Sequence, residues 1–195
     1  MAKLVVTESV TADGVMQGLG RPDEDTRGGF EHGGWGSPYT DQVMMETMGK
    51  GMAQTGALLF GRRTYEDFRG VWAGRTDGNP FSAMLDATPK FVASTTLTEP
   101  LAWENSTLLA GDVPAAVDRL KKELDRDIAV LGSGQLVRTL ARHGLVDVYV
   151  LSIHPLLLGN GQRLFPQDGP RAEMRLVDSV PTSTGVVIAK YEVVR

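Results

Sequence analysis

Residues 128–153 read IAVLGSGQLVRTLARHGLVDVYVLSI. The opening run Ile128–Leu131 is short and wholly apolar, the pattern of a strand buried on both faces. Gly132-Ser133-Gly134 interrupts it, after which Leu136, Val137 and Leu140 follow helical spacing. Val146–Ile153 then reads as a longer strand. Strand, helix, strand in that order is the unit of a parallel sheet, because parallel neighbours need a crossover between them.

The rest of the chain repeats the theme. Lys3–Val10 is a strand candidate ended by the Asp13-Gly14 turn, and Ala57–Phe60 is another, closed by Gly61 and followed by a helix start at Arg62–Arg69. Lys90–Ser94 and Ser106–Ala110 add two short strands. Val113, Val117, Leu120 and Leu124 follow a 3.6-residue period behind Asp112, a natural N-cap. Thr40–Gln54 carries Met44, Met48 and Met52 at helical spacing, a stripe expected in the core. Met174–Val180 and Val186–Val194 alternate apolar and polar residues across Pro181–Gly185, a terminal β-hairpin. The predicted fold is therefore α/β, a three-layer α/β/α sandwich around a mixed, mainly parallel sheet with a C-terminal hairpin. One domain over residues 1–195 is expected. Residues 18–38, GLGRPDEDTRGGFEHGGWGSP, are glycine-rich without hydrophobic period and read as a long loop, of the kind that covers a site.

Composition narrows the function classes. Of 195 residues 42% are hydrophobic and 23% charged, the mix of a globular protein. The net charge of -4 lacks the basic surplus of a nucleic-acid partner, and no apolar run approaches the ~20 residues that span a bilayer. There is no cysteine, which removes disulfides, thiolate metal sites and cysteine nucleophiles. Three histidines offer no ligand spacing, so no metal site is expected. MAKLVVTESV lacks the pattern of a signal peptide, and a cytoplasmic location is the expectation.

Two places join a strand to a helix through glycine: Gly61-Arg62-Arg63-Thr64 and Gly132-Ser133-Gly134-Gln135-Leu136. A helix start presents free N–H groups and the positive end of its dipole to an anion, and the arginines offer charge-assisted bonds to phosphate. Ser94 and Thr95 add hydroxyls at a third strand end; hydroxyls and arginine without an acid suit a 2′-phosphate, hence NADP over NAD. Asp41, at a helix mouth, either binds a substrate's amidine-like N–H groups and assists protonation of a C=N bond, or caps its helix. Trp35 either stacks on a flat heterocycle or anchors its loop. His154 is expected to pack. Lys121-Lys122-Glu123 reads as solvated charge.

These residues resemble a family. Gly61-Arg62-Arg63-Thr64-Tyr65-Glu66 is similar to the G-R-x-T-aromatic-E segment of dihydrofolate reductases, and Gly132–Leu136 to their second glycine loop. Asp147–Phe165, DVYVLSIHPLLLGNGQRLF, resembles more closely the reductase domain of the riboflavin-biosynthesis deaminase/reductase, the RibD C-terminal domain type, with its P-x-x-x-G-x-G segment. Ser9–Gly14 echoes that domain's S-L-D-G turn. The resemblance implies a dihydrofolate reductase-like fold, NADPH as hydride donor, a small heterocyclic substrate and a homodimer. It implies that Arg62, Arg63, Thr64, Ser94 and Thr95 serve the phosphates, that Gly132, Ser133, Gly134, Gln135 and Leu136 lie along pyrophosphate and ribose, and that Asp13–Gln17 flank the nicotinamide. The family's D-x-P-x-L-x-x-R segment has no counterpart, and Trp35–Asp41 only loosely echoes the W-x-L-P segment of true dihydrofolate reductases. The substrate class expected is pterin-like or aminouracil-ribose-phosphate-like. Two other readings are a non-catalytic NADPH- or flavin-binding module of the same fold, and an interaction protein that dimerises through its sheet edge.

Overall fold

In the computed structural model, which describes residues 1–195, one eight-stranded sheet organises the chain. The elements are β1 (Leu4–Thr11), α1 (Gln42–Ala53), β2 (Thr55–Gly61), α2 (Arg62–Trp72), α3 (Pro80–Ala87), β3 (Lys90–Ala93) and β4 (Ser106–Leu109), followed by α4 (Val113–Glu123), β5 (Asp127–Val130), α5 (Gly134–Arg142), β6 (Val148–His154), β7 (Met174–Pro181) and β8 (Val187–Val193). Their spatial order is β4-β3-β2-β5-β1-β6-β8-β7. The first six strands are parallel and only β8 runs antiparallel to its neighbours, so the sheet is mixed and mainly parallel as expected.

Alternation along β2 divides the core. Ala57 and Leu59 point to the face covered by Val117 of α4 and Leu136, Val137 and Leu140 of α5. Leu58 and Phe60 point to the other, against Tyr65 of α2 and Leu85 of α3. A strand buried on both faces needs the unbroken apolar run that ALLF supplies. The helix α3 was not read from sequence: its start signal, Asn79 capping with Pro80 behind it, lies inside a stretch dense in turn residues.

Two further departures come from packing. Of the methionine stripe only Met44 is buried, against Val186 and Ile188, and Met52 packs partly buried beside Leu58 and Phe60; Met48 is 40% exposed, because α1 bridges an open space instead of lying on the sheet. Lys121 is buried, not solvated. Its Nζ donates to Leu145 O at 2.8 Å and pairs with Asp147 at 2.6 Å. Asp147 in turn accepts from Leu4 N at 2.7 Å, so this ion pair fastens α4 to the N-terminal ends of β1 and β6. No helix is long and apolar enough to cross a membrane.

The long loop is built, with two short 3-10 turns at Arg27–Gly29 and Ser37–Tyr39. Phe30 and Trp35 pack with Val15 into a small core of their own, and Trp35 Nε1 donates to Gln17 O at 2.7 Å. Trp35 is thus an anchor. His154 packs, as expected, edge-on against Trp35 and Tyr39, and burial pushes its imidazole below the usual range.

Candidate functional site

Parallel strands put their carboxyl ends on one edge of the sheet, and a cleft of about 1890 Å³ opens there. Pairing of β1 with β5 ends at Val6↔Val130, whereas pairing of β1 with β6 runs on to Thr11↔His154. The sheet therefore splits beyond Val6. Small polar residues of the central strands, Thr7, Ser9 and Ser152, line the opening beneath Met48 and Met52 of α1. The loop closes one end: Arg21 forms an ion pair with Asp67 of α2, and the buried Gln17 amide holds the Asp25 and Arg27 carbonyls at 3.2 and 3.0 Å.

The segments Thr11–Gln17 and Leu158–Gln162, far apart in sequence, meet at the same end. Asp13 accepts from the backbone of Leu158 and Gly159 at 3.3 and 2.8 Å, and Gln162 N donates to Gln17 Oε1 at 2.9 Å. The Thr11 hydroxyl, donating to Asp13, is the main reason its carboxyl is held below the usual range. Met16 and Gln17 face the cleft; Asp13 works as the tie between the two segments.

Both glycine loops sit at the split. Gly61 approaches Ser133 so closely that a Cβ would collide with Ser133 Oγ. Gly132 has φ of +94°, and a Cβ there would stand 3.0 Å from Thr64 Oγ1. The glycines are needed for contact between the loops. Helix capping separates these loops from the others. The starts of α1, α3 and α4 are closed by Asp41, Asn79 and Asp112, each accepting from a first-turn N–H. The starts of α2 and α5, at Gly61 and Ser133, carry no side-chain cap, leaving first-turn N–H groups directed at the cleft.

Arg62, Arg63, Thr64, Ser94, Thr95, Gly132, Ser133, Gly134, Gln135 and Leu136 all line this cleft. Their surroundings differ. Arg62 is paired with Glu66 at 2.9 Å one turn along the helix, whereas Arg63 has no acidic partner. Ser94 Oγ accepts from Thr96 N and Leu97 N at 3.1 and 3.0 Å and so shapes the turn after β3. Leu136 belongs also to the core.

Asp41 is not among the lining residues. One carboxylate oxygen caps α1 through Met44 N at 2.7 Å, and the other accepts from Ser183 N at 2.7 Å and Ser183 Oγ at 2.6 Å. These bonds, the Ser183 hydroxyl first, hold its carboxyl below the usual range. An acid so placed ties α1 to the β7–β8 turn, outside the cleft lining. Of the two roles open in the sequence, the cap is the one the geometry contains.

Glu8 was missed and is the most unusual group in the cleft. It lies on β1 two residues beyond the last pair with β5, at the split, beneath Gly132. Its Oε1 is sealed from solvent with no hydrogen-bond partner, 3.6 Å from where a Gly132 Cβ would be. Burial alone pushes its carboxyl up to about 8. A signal was available: in LVVTESV, Glu8 shares strand parity with Leu4 and Val6, which are fully buried.

Comparison with known proteins agrees with this architecture. A family model described as RibD C-terminal domain matches residues 2–188. Uncharacterized protein YyaP of Bacillus subtilis (strain 168) is 30% identical over 143 residues, 71% of this chain and 74% of its own length. A pyrimidine reductase-like protein from Corynebacterium diphtheriae has a TM-score of 0.69 at 13% identity, covering 100% of this chain and 92% of that one. Acinetobacter baumannii RibD has a TM-score of 0.67 at 13% identity; there this chain is covered fully but spans 59% of the other. The solved structures speak to the fold, which is the dihydrofolate reductase-like α/β sheet expected from sequence.

Proposed function

The chain belongs to the RibD C-terminal domain family, and from that premise we propose that it is an NADPH-dependent reductase of a small heterocyclic substrate of the riboflavin-biosynthesis type. The observation that carries this reading is the uncapped state of α2 and α5 at the cleft, beside three capped helices elsewhere. Two adjacent helix starts with glycine contacts fit the two phosphates of a dinucleotide bridge.

The residues present fit NADPH. First-turn N–H groups of α2 and α5 would hold the pyrophosphate, with Thr64 and Ser133 offering hydroxyls. Arg63, free of any acidic partner, and Thr95 would serve the 2′-phosphate. When bound, the reduced nicotinamide supplies hydride, and the protein positions and shields it. Met48 and Met52 give the opposite wall a flexible apolar surface suited to a flat ring. The loop strapped by Arg21 and Asp67 limits water entry at one end. A homodimer forms part of the same proposal, supported by the edge strand β7, whose Leu176 is 52% exposed, and by Val177 beside it.

Thermal unfolding with added dinucleotide tests the reading. NADPH at about 100 times its Kd adds about 2.7 kcal/mol, a Tm rise of about 5–10 °C for a chain of this size. NADH, lacking the 2′-phosphate, is expected to raise Tm much less at equal concentration. No shift with saturating NADPH overturns the proposal.

A further inference from the structure

We propose that Glu8 couples cofactor oxidation state to one proton: the cleft holds the oxidised, cationic nicotinamide with Glu8 as carboxylate and the reduced, neutral nicotinamide with Glu8 as the acid. The inference rests on the dinucleotide reading given above and adds to it a group whose protonation follows the charge of what occupies the cleft.

Geometry comes first. Glu8 is placed where β1 and β5 part, so it faces the opening that any ring entering between those strands must fill. Gly132 passes directly over it and has no side chain to screen it. Its Oε1 is closed off from water and has no donor near it. A carboxylate left so is costly in a place of low dielectric, and the proton is the cheapest means of removing the charge.

The surroundings offer no substitute. On α2, Arg62 is committed to Glu66, and Arg63, exposed in the cleft lining, exerts no influence on Glu8. On α5, Arg138 donates to Arg163 O at 3.1 Å and Arg142 pairs with Asp168. On β6, Tyr149 and His154 are both held neutral by burial. Among all these groups burial is the only influence that acts on Glu8. Of the acids that line the cleft, Asp25, Glu66, Asp67 and Asp168 are each paired with an arginine, whereas Glu8 has no counter-ion, and a cation delivered by the ligand would supply it.

The charge balance is simple. Oxidised cofactor differs from reduced by one positive charge on the ring. Its arrival releases the Glu8 proton to solvent and leaves a carboxylate beside a cation; the reduced form leaves the acid intact. Reduction of a C=N bond consumes one hydride and one proton, so the Glu8 proton becomes available in the same event that consumes one.

Isothermal titration calorimetry at pH 7 in two buffers of unequal ionisation heat measures the coupling, for the wild type and for Glu8→Gln. Titration of the 2′-phosphate is common to NADP+ and NADPH and cancels in their difference. The wild type is expected to release close to one proton more with NADP+ than with NADPH, and Glu8→Gln to show no difference. The NADP+ affinity of the wild type is expected to rise by up to about tenfold per pH unit between about pH 6 and 8, with that of NADPH unresponsive by comparison. Equal proton counts in the wild type, or a difference that survives Glu8→Gln, overturn the coupling while leaving dinucleotide binding intact. Failure of both dinucleotides to bind overturns the function and the coupling together. Glutamine is the neutral isostere of the protonated acid, so the variant retains the fold; the wild-type pH profiles decide the matter independently of it.

Discussion

Replacing Glu8 by glutamine in the free protein is expected to stabilise it, by an amount that grows with pH. The carboxyl's ordinary value is 4.5 and its folded value about 8. Below pH 4.5 the group is neutral in folded and unfolded chains alike and costs nothing. Between 4.5 and about 8 the unfolded chain gives up the proton that the folded chain retains, so stability is lost as pH rises; above about 8 the loss is complete. At about 1.36 kcal/mol per unit the full penalty is on the order of 5 kcal/mol, and about 3 kcal/mol at pH 7. The side chain keeps partial contact with water, which brings the expected gain at pH 7 to between about 1 and 3 kcal/mol. Oε1 has no hydrogen bond to forfeit, so the amide loses nothing there. Urea unfolding followed by tryptophan fluorescence at pH 5, 7 and 9 gives the difference directly. A gain that does not grow with pH, or a variant less stable than wild type at pH 9, refutes the reasoning.

Three further outcomes follow from the same geometry. Lys121→Ala removes a buried ammonium that donates to Leu145 O and pairs with Asp147, which keeps Arg195 as its second partner, and is expected to cost about 1–3 kcal/mol in urea unfolding; a loss below about 0.5 kcal/mol would show that the pair fastens nothing. Asp41→Ala removes the α1 cap and the tie to Ser183 and is expected to lower the urea midpoint with the NADPH-induced Tm shift unchanged. A normal Tm with the NADPH shift lost would return Asp41 to the ligand site. Gly132→Ala forces a side chain into φ of +94° against Thr64, at about 1–3 kcal/mol, and is expected to diminish the NADPH shift as the loop is displaced; an undiminished shift would place the ligand elsewhere.

Much of the fold was legible because it rests on short-range signals. ALLF and IAVL must be buried on both faces, glycine follows each, and Asp112 announces the helix behind it. What escaped depended on partners distant in sequence. Lys121 looks like one charge in a charged run until Asp147 arrives from the start of β6 to meet it at 2.6 Å. Met48 has the same spacing as Met44, and only the span of α1 across an open cleft distinguishes them. Asp41 presents identical letters whether it binds a ligand or holds Ser183 from 142 residues away. In the site, the glycine loops were readable because their chemistry lies in the backbone. Glu8 was readable only through parity along β1, and its significance only through where β5 stops.

The closeness of Gly61 to Ser133 has a consequence for how such sequences can vary. The two loops share one volume, too small for a methyl group on one side and a hydroxymethyl on the other. Variation at either position is therefore conditional: an alanine at 61 demands a glycine at 133, and enlarging both at once parts the loops. Across relatives a residue larger than glycine at 61 should appear only together with glycine at 133. Anyone grafting one loop onto another scaffold has to carry both.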